Sequence, residues 1–167
     1  MSVAGKVHRK EKTGLPVVCR TSKGRERRPM PAKRQFSERY QKPEPFYFRY
    51  QLPDGFVVLA GKTDRDNDYL SLKTAGPNDY WFHVRGMPGS HVVLQSKSGL
   101  EPPRDILKMA AAVAAYHSKA RNGGIVPVSC TKARFVTKPR GAKPGTVQIR
   151  KEQVLKVRPA LPAEMAT

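Results

Sequence analysis

Residues 79–94 constrain the fold more than any other stretch of this chain. They set two short runs of aromatic and β-branched residues, 80–84 and 91–95, on either side of a polar, glycine-containing turn. Such runs fit a half-buried pleated surface and are too short for helices, so two antiparallel strands are predicted. Pro88-Gly89 predicts a type II turn, with Pro presetting φ at its second position and Gly taking the positive φ at its third. Successive backbone N–H groups in such a turn can form an anion-binding nest, and Arg85, Ser90 and His91 stand beside it. A Pro-Gly turn is equally an ordinary way to join two strands, and Trp81 and Phe82 suit a core as well as a binding surface. Strand alternation puts Asp79, Trp81 and His83 on one face and Tyr80 and Phe82 on the other.

The flanking sequence supplies partners for these strands. Residues 46–52, the turn Pro53-Asp54-Gly55 and residues 56–60 read as a hairpin. Segments 125–130, 133–138, 146–150 and 153–158 read as further strands. Between the two groups, Pro102-Pro103 opens one long helix, because Pro is tolerated in a first helical turn. Ile106, Leu107, Ala110, Val113, Ala114 and His117 then recur at helical spacing. Lys119 and Arg121 fall near its last turn, and Asn122-Gly123-Gly124 ends it. Its alanines at 110–115 imply close packing on a sheet. A short helix runs to about Lys73 from Asp66 or Asn67 as N-cap. The aspartates around it lack the spacing and closing Glu of a calcium loop. The expected class is α+β: a mostly antiparallel sheet with one main Ala-rich helix and a short helix.

Charge narrows the function. The 167 residues carry 32 Lys+Arg against 13 Asp+Glu, a net +19, with a pI near 10.4. Cations replacing counterions on phosphates point to a nucleic-acid partner, although an anionic membrane or an acidic protein could exploit the same charge. The first 44 residues hold 13 Lys+Arg and 4 acids, hence +9, with scattered Pro and no apolar period. They predict a disordered basic N-terminal arm. The remaining +10 lies on the rest of the chain, so the folded part is basic too. Within it, residues 138–145, Lys-Pro-Arg-Gly-Ala-Lys-Pro-Gly, form a loop that offers Lys138, Arg140 and Lys143 to a phosphate backbone, flanked by Arg134, Arg150, Lys156 and Arg158. Two cysteines make no disulfide framework, and no Cys/His cluster has zinc spacing. No apolar run spans a bilayer and no secretory leader is visible, so a cytoplasmic protein without a membrane partner, metal or cofactor is expected.

These pieces, in this order, resemble a known family. The motifs are Gly61…Asn67-Asp68…Leu70, Asp79-x-Trp81-Phe82-His83, Pro88-Gly89-Ser90-His91-Val92-Val93, the Ala-rich helix ending Ala115-Tyr116-His117-Ser118, and Lys138-Pro139-x-Gly141-Ala142-x-Pro144-Gly145-x-Val147. Together they are similar to the NFACT RNA-binding domain, the C-terminal module of the ribosome quality-control proteins RqcH, Rqc2 and NEMF. The resemblance covers residues 45–159 and leaves 160–167 as a flexible tail. It implies an α+β module that binds RNA, with tRNA or large-subunit rRNA as partner and the large ribosomal subunit as platform. The family's other domains have no counterpart here, so its template-free tailing of stalled chains is not implied.

Two functions from different classes remain open on the residues. As an RNA-binding module, the chain contacts phosphates through Arg85, Ser90, His91, Lys138, Arg140, Lys143 and Arg150, while Asn67, Asp68, Trp81, Phe82, Pro88 and Gly89 build the motif. Asp79 then accepts a hydrogen bond at the strand entrance. As an RNA-processing or RNA-modifying enzyme, it would use Asp79, His83, Ser90 and His91 as acid, base and nucleophile. No nucleophile elbow, P-loop or dinucleotide fingerprint supports the second function.

Overall fold

The computed structural model describes residues 46–97 and 100–165. The predicted basic arm lies outside the described residues. Eight strands form: β1 (Tyr47–Gln51), β2 (Val57–Gly61), β3 (Tyr80–Val84), β4 (Val92–Leu94), β5 (Val126–Lys132), β6 (Val136–Thr137), β7 (Gln148–Ile149) and β8 (Gln153–Val157). Six build one antiparallel sheet in the order β1-β2-β4-β3-β5-β8, and β6 and β7 pair as a separate ribbon. The fold is thus the expected α+β. The main helix, α2 (Arg104–Tyr116), and the short one, α1 (Asp64–Tyr69), are both present.

The sheet is buried on both faces, which is why its central strands read as nearly continuous apolar runs. One face carries Val58, Phe82, Val92 and Val128, and α2 packs on it through Ala110, Val113 and Ala114. Alanine lets that helix approach closely, as the sequence implied. On the opposite face Leu59, Trp81 and Val93 meet Leu70 and Val136. Phe82 and Trp81 therefore serve two different cores, as alternation requires.

Several local expectations are corrected by tertiary contacts. The N-cap of α1 is Thr63, not Asp66 or Asn67. Its Oγ1 accepts from Asp66 N, and both expected caps are buried inside the helix. The helix continues as a π-turn over Leu70–Thr74. At the other side of the molecule α2 stops at Tyr116, well before Asn122. The residues beyond it find non-helical partners: Ser90 N donates to His117 O, Lys119 N to Pro88 O, and Ser118 Oγ to Ala115 O.

The Pro88-Gly89 turn is not type II. Positive φ falls on Gly86 (78°) and not on Gly89. Glycine is needed at 89 because a Cβ there would lie 2.8 Å from the Ser118 Cβ. The predicted strand 133–138 is a single 3-10 turn, Ala133–Phe135, followed by the two-residue β6. The folded part also runs past residue 159. Ala160 N donates to Ala112 O at 3.3 Å, and a four-residue helix, α3 (Pro162–Met165), follows.

Candidate functional site

β3 carries Trp81 and His83 two residues apart on the face away from α2, so their rings share one side of the strand. They stack with centroids 6.0 Å apart. His91, at the entrance to β4, closes against both rings at 5.0 and 5.3 Å. Ser71, in the π-turn, joins two of them: Trp81 Nε1 donates to Ser71 Oγ at 2.9 Å, and Ser71 Oγ lies 2.9 Å from His91 Nδ1. An indole N–H only donates, so the Ser71 hydroxyl accepts from it, and its second contact, with His91 Nδ1, runs in the direction that the imidazole tautomer sets.

The main chain at His91 is fixed just as firmly. Its N–H donates to Asn67 Oδ1 at 2.9 Å, and its carbonyl accepts from Gly61 N at 3.0 Å. Gly61 has no alternative here, since a Cβ would fall 2.3 Å from Asn67 Oδ1.

These rings form the floor of an open recess of about 300 Å³, at the lower end of the range for small-ligand sites. Gly145, Thr146 and Val147 form its opposite wall, and Arg85 stands at its rim. Burial pushes the His91 pKa down to about 4, helped by the neighbouring His83; the Asn67 and Gly145 backbones and Asp68 oppose that only in part. Burial lowers His83 as well. Both imidazoles are therefore neutral at pH 7, and the positive charge comes from the rim.

The basic loop is built by its own lysine. Lys138 Nζ lies 2.8 Å from Asp68 Oδ2 and 2.8 Å from the Lys143 carbonyl. Asp68 Oδ1 also accepts from Gly145 N at 3.1 Å. Lys138 thus turns its ammonium inward, and the loop folds around it beside α1. Arg140, Lys143 and Arg150 are exposed. Arg85 pairs with Glu152 at 3.4 Å while its side chain stays 60% exposed. Such a surface pair contributes well under about 1 kcal/mol and is readily exchanged for another anion. Lys156 and Arg158 are not neighbours of this loop; they line a groove against Met109 and Ala112 of α2.

The four residues singled out for catalysis do not converge. Asp79 accepts from Gly76 N at 2.8 Å and Ser96 N at 2.7 Å, which is the strand-entrance role foreseen for it. Ser90 Oγ donates to the Gly61 carbonyl at 2.7 Å. Only His83 and His91 face the recess. The N–H groups of Arg85, Ser90 and His91, beside the expected nest of backbone donors, are taken by Pro127 O, His117 O and Asn67 Oδ1. Among the described residues no group of three or more His, Cys, Asp or Glu is placed to hold a metal ion.

Sequence reasoning missed Ser71 and the wall formed by Thr146 and Val147. Nothing in the sequence marks Ser71 as the partner of a tryptophan ten residues further along the chain. The inward turn of Lys138 onto Asp68 was not foreseen either, since the sequence reading offered Lys138 to a phosphate with Arg140 and Lys143.

Comparison with known proteins decides the family. Residues 45–151 match the NFACT protein RNA binding domain. The chain belongs to this family. It is 41% identical over 128 residues to the Rqc2 homolog RqcH of Bacillus subtilis, covering 76% of this chain and 22% of that protein. Against the Rqc2 homolog RqcH of Streptococcus suis the identity is 42% over 120 residues, or 71% and 21% of the two chains. This NFACT RNA-binding chain therefore spans about a fifth of the curated relatives it matches. A solved structure, the C-terminal part of the fibronectin/fibrinogen-binding protein from Streptococcus suis, aligns with a TM-score of 0.65 at 39% identity, over 70% of this chain and 46% of that one. Among the described residues no helix is long and apolar enough to cross a membrane.

Proposed function

We propose that this NFACT domain binds RNA in the cytoplasm through the recess between β3, β4 and the 138–147 loop, and that it acts in ribosome-associated quality control. The observation that carries the reading is the disposition of charge around the recess. Neutral aromatic and imidazole rings and Arg85 line it, while Arg140, Lys143 and Arg150 are exposed on the chain segments that run into and out of its wall at Gly145–Ile149. Cations at a rim attract a phosphate backbone, and a neutral floor accepts a base edge without an electrostatic penalty. Lys138 holds the loop in place for this contact. The RNA class assigned here is tRNA or large-subunit rRNA, the expectation that the family resemblance carries; the name of the matching domain supports RNA binding as such. The tailing chemistry of the full-length proteins is not assigned to this chain.

The test is a titration of RNA affinity against salt. For wild-type protein, log K falls linearly with log salt. The double substitution Arg140→Ala/Lys143→Ala lowers the slope by roughly 0.7 per lost contact on single strands and roughly 0.9 on duplex. A slope unchanged by the double substitution sinks the placement, and a flat wild-type response sinks RNA binding itself. Crosslinking in cells then separates tRNA from rRNA.

A further inference from the structure

A second group of rings lies on the other face of the sheet, at the same end. Phe48 of β1 is 42% exposed. Its ring stacks nearly parallel on His117, with centroids 4.8 Å apart and planes 15° off parallel. Tyr50, two residues along the same face, places its hydroxyl 2.7 Å from His117 Nε2. Lys62 Nζ stands 5.1 Å from the Phe48 centroid, and the Arg121 guanidinium lies 3.9 Å above the Tyr116 ring.

This aromatic and cationic ledge is mechanically joined to the recess. The turn carrying Arg85 at its start and His91 at its end donates Ser90 N to His117 O at 2.9 Å. It also pairs Gly89 with Ser118.

We propose that Phe48, backed by His117 and flanked by Lys62 and Arg121, stacks on an unpaired base of a single-stranded RNA segment. This inference rests on the RNA-binding reading above and adds a second contact to it. An exposed ring held rigid by a second ring loses little freedom on binding, and a base offers it a matching π-face with phosphates for the flanking cations. Stacking on a ring is tolerant of base identity, because every base has a π-face.

The test uses the full chain and a 12-nucleotide oligouridine with one 2-aminopurine placed at successive positions. Uridines stack weakly, so quenching of 2-aminopurine reports stacking on the protein. Wild type quenches it at one position or a few. Phe48→Leu keeps an apolar residue on the strand, loses the quenching and weakens binding by roughly 5- to 100-fold at unchanged salt slope. Phe48→Trp retains both signals. Arg140→Ala/Lys143→Ala lowers the salt slope but leaves the quenching. Phe48→Leu that binds within twofold of wild type with the same quenching overturns the ledge while leaving the recess intact. Wild type that shows no salt-dependent binding overturns both. Should Phe48→Leu unfold, wild type and Phe48→Trp decide: saturating protein without quenching at any position overturns the proposal.

Discussion

Gly61 and His91 show how single positions set this site. At Gly61 any side chain meets Asn67, with Oδ1 at 2.3 Å and the backbone N at 3.1 Å. The side-chain oxygen could swing away, but only by abandoning His91 N. Gly61→Ala therefore combines overpacking with a buried N–H left unpaired, and we expect a loss of roughly 2–4 kcal/mol in urea unfolding. A loss below about 0.5 kcal/mol would mean the Asn67 clamp is dispensable. His91 predicts a pH dependence. Its folded pKa of about 4 lies below the ordinary value of 6.5. Between those values the unfolded chain binds the extra proton, so stability is full above about pH 6.5 and falls as pH drops towards 4. His83 and His117 are shifted in the same direction by burial and add to the slope. The His91 share is roughly 2–4 kcal/mol. Unfolding midpoints at pH 7 and pH 5 measure it, and His91→Gln should flatten the difference.

The element that decides presentation is the 138–147 loop. Two positive-φ glycines, Gly141 and Gly145, let it reverse, and the Lys138–Asp68 bridge, with its side chains 26% and 19% exposed, ties it down. Lys138→Met leaves the Asp68 carboxylate without its cation. We expect a cost of about 1–2 kcal/mol, below that of a fully buried pair, and faster hydrogen exchange across residues 139–146. Asp68→Asn should produce much the same change, and the double substitution should cost less than the sum. Strict additivity would show that the two side chains do not act as a unit. The same element explains a limit of sequence reading. Both strands around the loop were legible as β, yet β6 and β7 are two residues each. Their pairing partner is a ribbon of their own instead of the main sheet, and local propensity carries no information about partner choice.

At the scale of the molecule, charge divides between the first 44 residues and the rest, +9 and +10 of the +19 total. Removing residues 1–44 should lower RNA affinity by roughly tenfold or more near physiological salt, while the preference among RNAs persists. Competition binding with tRNA and unrelated RNA measures this, and a preference lost with the arm would place selectivity there instead. The α+β class, the six central and flanking strands, the Ala-rich helix and the family were all legible in the chain. Each depends on local periodicity, turn residues or ordered motif blocks, which survive in one dimension. Helix ends and turn geometry were not. The α2 helix stops at Tyr116 because Ser90 and Pro88 capture the backbone beyond it, and Gly89 is glycine because Ser118 approaches it from 29 residues away. Nor did the sequence separate Asp79 from His83 and His91, since alternation along one strand says which face a side chain takes but not which neighbour satisfies it. Composition and motif order thus determined the kind of protein this is. Packing between distant segments decided which polar groups are spent inside the fold and which cations remain at its surface.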